Sequence, residues 1–193
     1  MVSELVEKGF KVYCETQRKF NLETLPPLII WEVTLRCNQR CTFCGFYGID
    51  GVLPTKEQMS QELTLDQAKE VVKDIASSYK LFKPHIGLIG GETFMMRCIS
   101  GLLDELYRFK IPYSVTSNLT FLKEDVIKKL KETKIKELRV SLHGREDHHN
   151  ALVQVPKNAF NITTNNIKKC VEAGIPVMMN FVITDQNIED MEY

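Results

Sequence analysis

The residues of this chain best suited to chemistry crowd into one short stretch. Cys37, Cys41 and Cys44 stand in a C-x3-C-x2-C arrangement directly after an apolar run, 28–35, that reads as a buried strand. Three thiolates on a loop can converge on one inorganic centre, because a loop can wrap where a strand or helix cannot. Thiolates are the usual protein ligands of iron–sulfur clusters. A four-iron cluster held by three cysteines keeps one iron without a protein ligand, and that iron can bind a substrate or cofactor. The pattern therefore points to chemistry more than to electron storage. Zinc is the competing reading, but a structural zinc site needs a fourth ligand, ordinarily from a second paired cluster. The chain has no second C-x2-C and no H-x3-H pair. Cys41-Thr-Phe-Cys44 alone could serve as a dithiol redox pair, which would leave Cys37 unused.

The elements that must position these cysteines follow a regular alternation. Short apolar strands are expected to begin near residues 28, 85, 112, 137 and 176, with the last running 177–184. Between them lie amphipathic stretches. Thr64-Leu-Asp-Gln67 fits a capping box, and Leu65, Ala68, Val71, Val72, Ile75 and Tyr79 form an apolar stripe behind it. Helices are also expected over 98–109, 124–132 and 160–173, the last stopped by Gly174-Ile-Pro176. A short helix is expected over 1–20 and the start of a further helix near Asn187, while 45–61 reads as a polar, irregular loop. Strands alternating with helices predict an α/β fold with a parallel sheet and right-handed crossovers. An open doubly wound sheet and a curved, barrel-like sheet satisfy this pattern equally.

In parallel α/β folds, ligands bind beyond the carboxyl ends of the strands. The cysteines stand after the first strand, and Gly90, Gly91 and Glu92 after the second. Thr116, Ser117 and Asn118 follow at the third, Ser141 and His143 at the fourth, and Asn180 with Asn187 at the fifth. Turns favour such residues anyway, so it is their coincidence with the cysteine loop that gives them weight. Glycines at 90 and 91 would let backbone groups approach a small ligand closely. The segment Arg145-Glu-Asp-His-His-Asn150 reads as a polar or substrate-contacting loop rather than a metal site, since adjacent histidines point in different directions. Cys98 and Cys170 read as buried thiols.

The stretch 28–51 resembles the cluster loop of the radical S-adenosylmethionine (radical SAM) superfamily, whose pattern is C-x3-C-x-aromatic-C, with Phe43 as the aromatic residue. The resemblance implies a partial (β/α)6 barrel, of which about five βα units are present, over 28–193, preceded by an N-terminal helix and linker over 1–27. It implies a [4Fe-4S] cluster on Cys37, Cys41 and Cys44. Gly90-Gly91-Glu92 is similar to the glycine–glycine–glutamate motif that holds the methionine amino group of S-adenosylmethionine, with Thr93 where the family often has proline. By the same resemblance Phe43 would lie against adenine, and Ser117 and Ser141 would face the sugar and carboxylate. Asn118 and Asn180 complete the expected cofactor set, and His143 replaces an acid of the family's fourth-strand segment. The implied reaction is reductive cleavage of S-adenosylmethionine to a 5′-deoxyadenosyl radical that abstracts a hydrogen atom from an unidentified substrate. The electron would come from a small flavodoxin- or ferredoxin-like protein. In appearance the chain is nearest to the cofactor-biosynthesis and peptide-modifying subgroups. The alternatives are a truncated or degenerate relative, one completed by a partner chain or second copy, or a non-catalytic iron–sulfur or zinc module.

Bulk properties agree. The 193 residues suffice for one domain with a real core. Lys+Arg and Asp+Glu are 25 each, so the basic excess of a nucleic-acid binder is absent. No apolar run approaches the roughly 20 residues of a membrane helix, and six cysteines fit a reducing compartment. The expectation is a soluble cytoplasmic protein.

Overall fold

The computed structural model describes residues 26–48, 51–79 and 82–192; the helix expected over 1–20 lies outside them. Five strands form one sheet: β1 (Leu28–Glu32), β2 (His85–Ile89), β3 (Tyr113–Ser117), β4 (Glu137–Ser141) and β5 (Val177–Asn180). All neighbours pair parallel, and the strand order is β1-β2-β3-β4-β5. The crossovers carry α1 (Lys56–Ser60) and α2 (Leu65–Ser78), then α3 (Ile99–Arg108), α4 (Glu124–Glu132), and finally α5 (Glu146–Val153) with α6 (Ala159–Glu172).

This strand order resolves what periodicity leaves open. A doubly wound sheet reverses direction once and so places helices on both faces. Here the sheet always advances the same way, and right-handed crossovers then put α2, α3, α4 and α6 on one side. Burial agrees. Ile86, Leu88, Tyr113, Val115, Leu138 and Val140 are all shut in against the helices. Residues on the other face, such as Ile30, Arg139 and Met178, remain exposed. This is the wall of a partial (β/α) barrel, with helices outside and an open concave face. The core joins these strand residues to Ala68 and Val72 of α2, Leu102, Leu103 and Leu106 of α3, and Leu130 of α4.

Local chemistry accounts for the helix starts. Thr64 caps α2 with the expected box, its hydroxyl accepting from Gln67 N–H. Helix α4 carries Glu124 and Asp125 in its first turn and Lys129 and Lys131 in its last, matching the helix dipole.

The structure corrects several expectations. Strand β1 ends at Glu32 rather than 35, and it is not a buried run: Leu28 and Ile30 are half exposed because they lie on the open face. The loop 45–61 contains α1, capped by a second box in which Thr55 Oγ1 accepts from Gln58 N–H and Gln58 Oε1 accepts from Thr55 N–H. The segment around Arg145–Asn150 is largely helical, in α5. Strand β5 stops at Asn180, and Ile188–Glu192 is a 3-10 segment. Val71 sits at the exposed edge of the α2 stripe. Cys170 is buried as expected, but Cys98 is only half-buried, at the N-cap of α3.

Candidate functional site

Leaving β1, the chain crosses the carboxyl end of β2 and is sewn to it. Val33 N–H donates to Ile89 O at 2.9 Å, Gly91 N–H to Thr34 O at 2.9 Å, and Glu92 N–H to Arg36 O at 2.6 Å. This seat needs glycine. A Cβ on Gly90 would stand 2.7 Å from Thr34 O, and one on Gly91 would stand 2.4 Å from Arg36 O and 2.8 Å from Cys37 Cβ. The two glycines thus admit the cysteine loop itself. Gly48 does the same at the other end, where a Cβ would lie 2.3 Å from Cys44 O and 2.5 Å from Cys41 O. Behind the loop, Arg40 N–H donates to Val153 O and Thr42 N–H to Leu152 O, tying it to the end of α5.

The three thiols are reduced and half-buried. Burial pushes the Cys41 thiol up to about 12, and the neighbouring Cys37 and Cys44 push the same way. Burial also raises Cys37, partly offset by the Gln39 N–H and by Arg40. Two sulfurs already accept backbone hydrogen bonds: Cys37 Sγ from Gln39 N–H at 3.4 Å and Cys44 Sγ from Tyr47 N–H at 3.3 Å. Three crowded sulfurs that repel one another as thiolates suit a cationic centre, and N–H donors to sulfur are a regular accompaniment of iron–sulfur ligation. Among the described residues no three Cys, His, Asp or Glu side chains converge tightly enough for a single ion. A four-iron cluster does not ask for that, since each thiolate binds a different iron. The loop therefore fits the four-iron group, and among the described residues the zinc reading gains no fourth ligand.

Glu92 lies beneath the glycine turn, fully enclosed. Its carboxylate accepts from Ser117 Oγ–H at 2.6 Å, Asn118 N–H at 2.7 Å and Phe94 N–H at 3.0 Å. Burial raises its pKa, and these three donors only partly oppose the rise. Asn118 extends the brace to the cysteine loop, its amide donating to Asn38 Oδ1 at 3.0 Å, while Asn38 donates to Thr120 Oγ1 at 2.8 Å. Glu92, Ser117 and Asn118 thus form a connected unit under the loop, with the Ser117 hydroxyl spent on Glu92.

Ser141 and Asn180 stand opposite each other at the ends of β4 and β5, on the same open face as Thr116 and Arg139. Ser141 is partly exposed and Asn180 exposed. On β1, Glu32 accepts from the Tyr47 phenol at 2.9 Å. Phe43 packs edge-on against His143, with ring centroids 4.7 Å apart. His143 Nδ1 accepts from Val182 N–H, and His149 Nδ1 accepts from His143 N–H, both at 3.1 Å. Burial holds both imidazoles at about 4, and for His143 the neighbouring His149 adds to the effect. Asn187 clamps the same region, donating to His143 O and Val182 O and accepting from Thr184. The adjacent histidines do diverge: His148 Nδ1 faces Asp190 Oδ2 at 2.7 Å, away from His149. Burial drives the Asp190 carboxyl upward, but hydrogen bonds from Arg145 and His148 outweigh this and bring it down to about 2.

Sequence reasoning missed Asn38, Gln39 and the loop-seating role of Gly48. Only the position of Asn38 and Gln39 between two cysteines could have flagged them.

Comparison with known proteins agrees with this geometry. The model of the Radical SAM superfamily matches residues 31–193. Fe-coproporphyrin III synthase from Methanosarcina barkeri is 28% identical over 86% of this chain and 39% of its own length. AdoMet-dependent heme synthase from the same organism is 27% identical over 86% of this chain and 45% of its own. The chain therefore spans less than half the length of these relatives. In structure, Streptococcus suis SuiB bound to S-adenosylmethionine superposes with a TM-score of 0.73 at 18% identity, over 96% of this chain and 40% of that one. Family members bind a four-iron cluster and S-adenosylmethionine. Loop, fold and family model agree: the chain belongs to the radical SAM superfamily.

Proposed function

We propose that this chain carries the cofactor-binding barrel wall of a radical SAM enzyme. One observation carries the reading most: the three-cysteine loop is seated, by backbone bonds that only glycine permits, on the Gly90–Gly91 turn at the end of β2. When bound, the cluster supplies the electron that splits S-adenosylmethionine into methionine and a 5′-deoxyadenosyl radical.

The protein's own residues then bind, orient and exclude. Cys37, Cys41 and Cys44 hold the cluster, and Gly90, Gly91 and Glu92 shape the turn that presents backbone groups to the methionine end. Ser117 and Asn118 act through Glu92, whose carboxylate they fix. Phe43, backed by His143, offers a ring face for adenine. Ser141 takes up the sugar and carboxylate end, with Asn180 beside it on the neighbouring strand; the Ser117 hydroxyl, given to the same end by the resemblance, is instead engaged by Glu92. Substrate would occupy the concave face, beside the cofactor that these residues would hold. A flavodoxin- or ferredoxin-like protein delivers the electron, in the cytoplasm. The relatives named for Fe-coproporphyrin III and heme synthesis support a place among the cofactor-building members. Among the described residues no helix is long and apolar enough to cross a membrane.

The test is product analysis. Anaerobically reconstituted full chain, given dithionite and S-adenosylmethionine, should form 5′-deoxyadenosine measurable by liquid chromatography, and Cys41→Ala should not. Equal product from both proteins, or none from either, would contradict the proposal.

A further inference from the structure

Gln39 lies inside the cysteine loop and is almost completely buried, at 2% exposure. Its backbone N–H donates to Cys37 Sγ at 3.4 Å. Its side-chain Oε1 stands 3.6 Å from Cys41 Sγ, accepting the thiol hydrogen. Its Nε2 is one of two buried side-chain nitrogens among the described residues with no hydrogen-bond partner, His149 Nε2 being the other. A buried amide NH2 without an acceptor is costly and calls for an explanation.

Iron supplies one. A sulfur bound to iron has no hydrogen to donate, so a carbonyl oxygen facing it loses its bond and meets electron density instead. Turning the Gln39 amide by half a rotation exchanges oxygen for nitrogen at the same place, and the orphaned NH2 becomes a donor to sulfur. The turn needs no backbone movement, because the two ends of the amide have nearly the same shape. The group left over is then a carbonyl, which proteins tolerate unpaired more readily than an N–H.

We propose that Gln39 is a positioning residue for the cluster: its side-chain amide donates an N–H···S hydrogen bond to Cys41 when that sulfur binds iron. This rests on the cluster assignment made above. Such bonds stabilise the electron-rich reduced cluster and so raise its reduction potential. Cys37 and Cys44 receive their N–H donors from the backbone, at Gln39 and Tyr47. Cys41 sulfur meets its own backbone N–H and, among the described residues, the Gln39 side chain, so its side-chain donor is open to substitution.

The experiment uses the full chain, anaerobically reconstituted, with glutamine labelled by 15N at Nε2. Iron and sulfide are assayed first, and a chain that takes up no four-iron cluster overturns the cluster assignment itself. In the reduced, loaded protein, electron–nuclear double resonance should show a 15N coupling that Gln39→Leu abolishes. The potential of Gln39→Leu should shift negative, and that of Gln39→Glu should also fall, since it keeps the shape but presents only oxygen. A loaded wild-type cluster with no glutamine 15N coupling overturns the proposal, as does an unchanged potential in a fully loaded Gln39→Leu. If Gln39→Leu fails to hold the cluster, the wild-type coupling alone decides.

Discussion

Lowering the pH from 7 to 5 should cost the folded chain about 4 kcal/mol through two buried histidines. His143 is 2% exposed and His149 fully enclosed. Each Nδ1 accepts a backbone N–H, from Val182 and from His143 respectively. Protonating Nδ1 would turn each bond into two opposed donors. Burial therefore holds both rings at about 4, against 6.5 for an ordinary histidine. The sign follows from linkage. Between pH 6.5 and 4 the unfolded chain binds protons that the folded chain refuses. The stability is complete above the unfolded value and is lost as pH falls toward the folded one. With about 1.36 kcal/mol per pKa unit, each ring costs about 2 kcal/mol at pH 5, a large share of the 5–15 kcal/mol typical of a domain. Urea unfolding of the cofactor-free chain at the two pH values measures the loss, and NMR titration of the ring C–H signals assigns it. The reasoning fails if either ring titrates near 6.5, or if a double His143→Gln/His149→Gln variant keeps the full pH dependence. Because Phe43 packs on His143, the same acidification should loosen one wall of the cysteine loop.

Gly91→Ala places a methyl group 2.4 Å from Arg36 O, about an ångström too close, so the start of the cysteine loop must lift. Overpacking of this kind costs about 1–3 kcal/mol, and the expected readouts are a lower melting temperature and a sharply reduced iron content after reconstitution; normal iron loading would count against the seat described here. Glu92→Gln puts an NH2 opposite a donor, either Asn118 N–H or the pair Ser117 and Phe94. A loss of about 1–3 kcal/mol is expected, read by urea unfolding, together with weaker S-adenosylmethionine binding by calorimetry, since the turn above it loses its support. Asn187→Ala removes bonds to His143 O, Val182 O and Thr184, and it should lower stability by a few kcal/mol while leaving iron uptake intact.

Much of the fold was legible because it is local. The Thr64–Gln67 box and the apolar stripe behind it announce α2, and the strand spacing announces a parallel sheet. The Thr55–Gln58 box carried the same signal for α1, yet a five-residue helix has too few turns to show an apolar face. Alternation alone could not choose between an open and a curved sheet, because that choice lies in strand order, which is set by which faces the helices cover. At the site, the cysteines were legible from spacing. The glycines were legible as a motif, though their first partner is the cysteine loop itself. Asn38 and Asp190 were not legible. Asn38 bonds Thr120 across 82 positions and Asp190 bonds Arg145 across 45; only its place between two cysteines marks Asn38, and nothing in its own neighbourhood marks Asp190.

The central claim is that Cys37, Cys41 and Cys44 hold a four-iron cluster with one iron open to S-adenosylmethionine. Electron paramagnetic resonance of the anaerobically reconstituted, reduced chain, recorded with and without S-adenosylmethionine, tests it most directly. A four-iron signal whose shape changes on adding the cofactor is the predicted result. A spectrum without a four-iron signal, or one indifferent to the cofactor, would contradict the account.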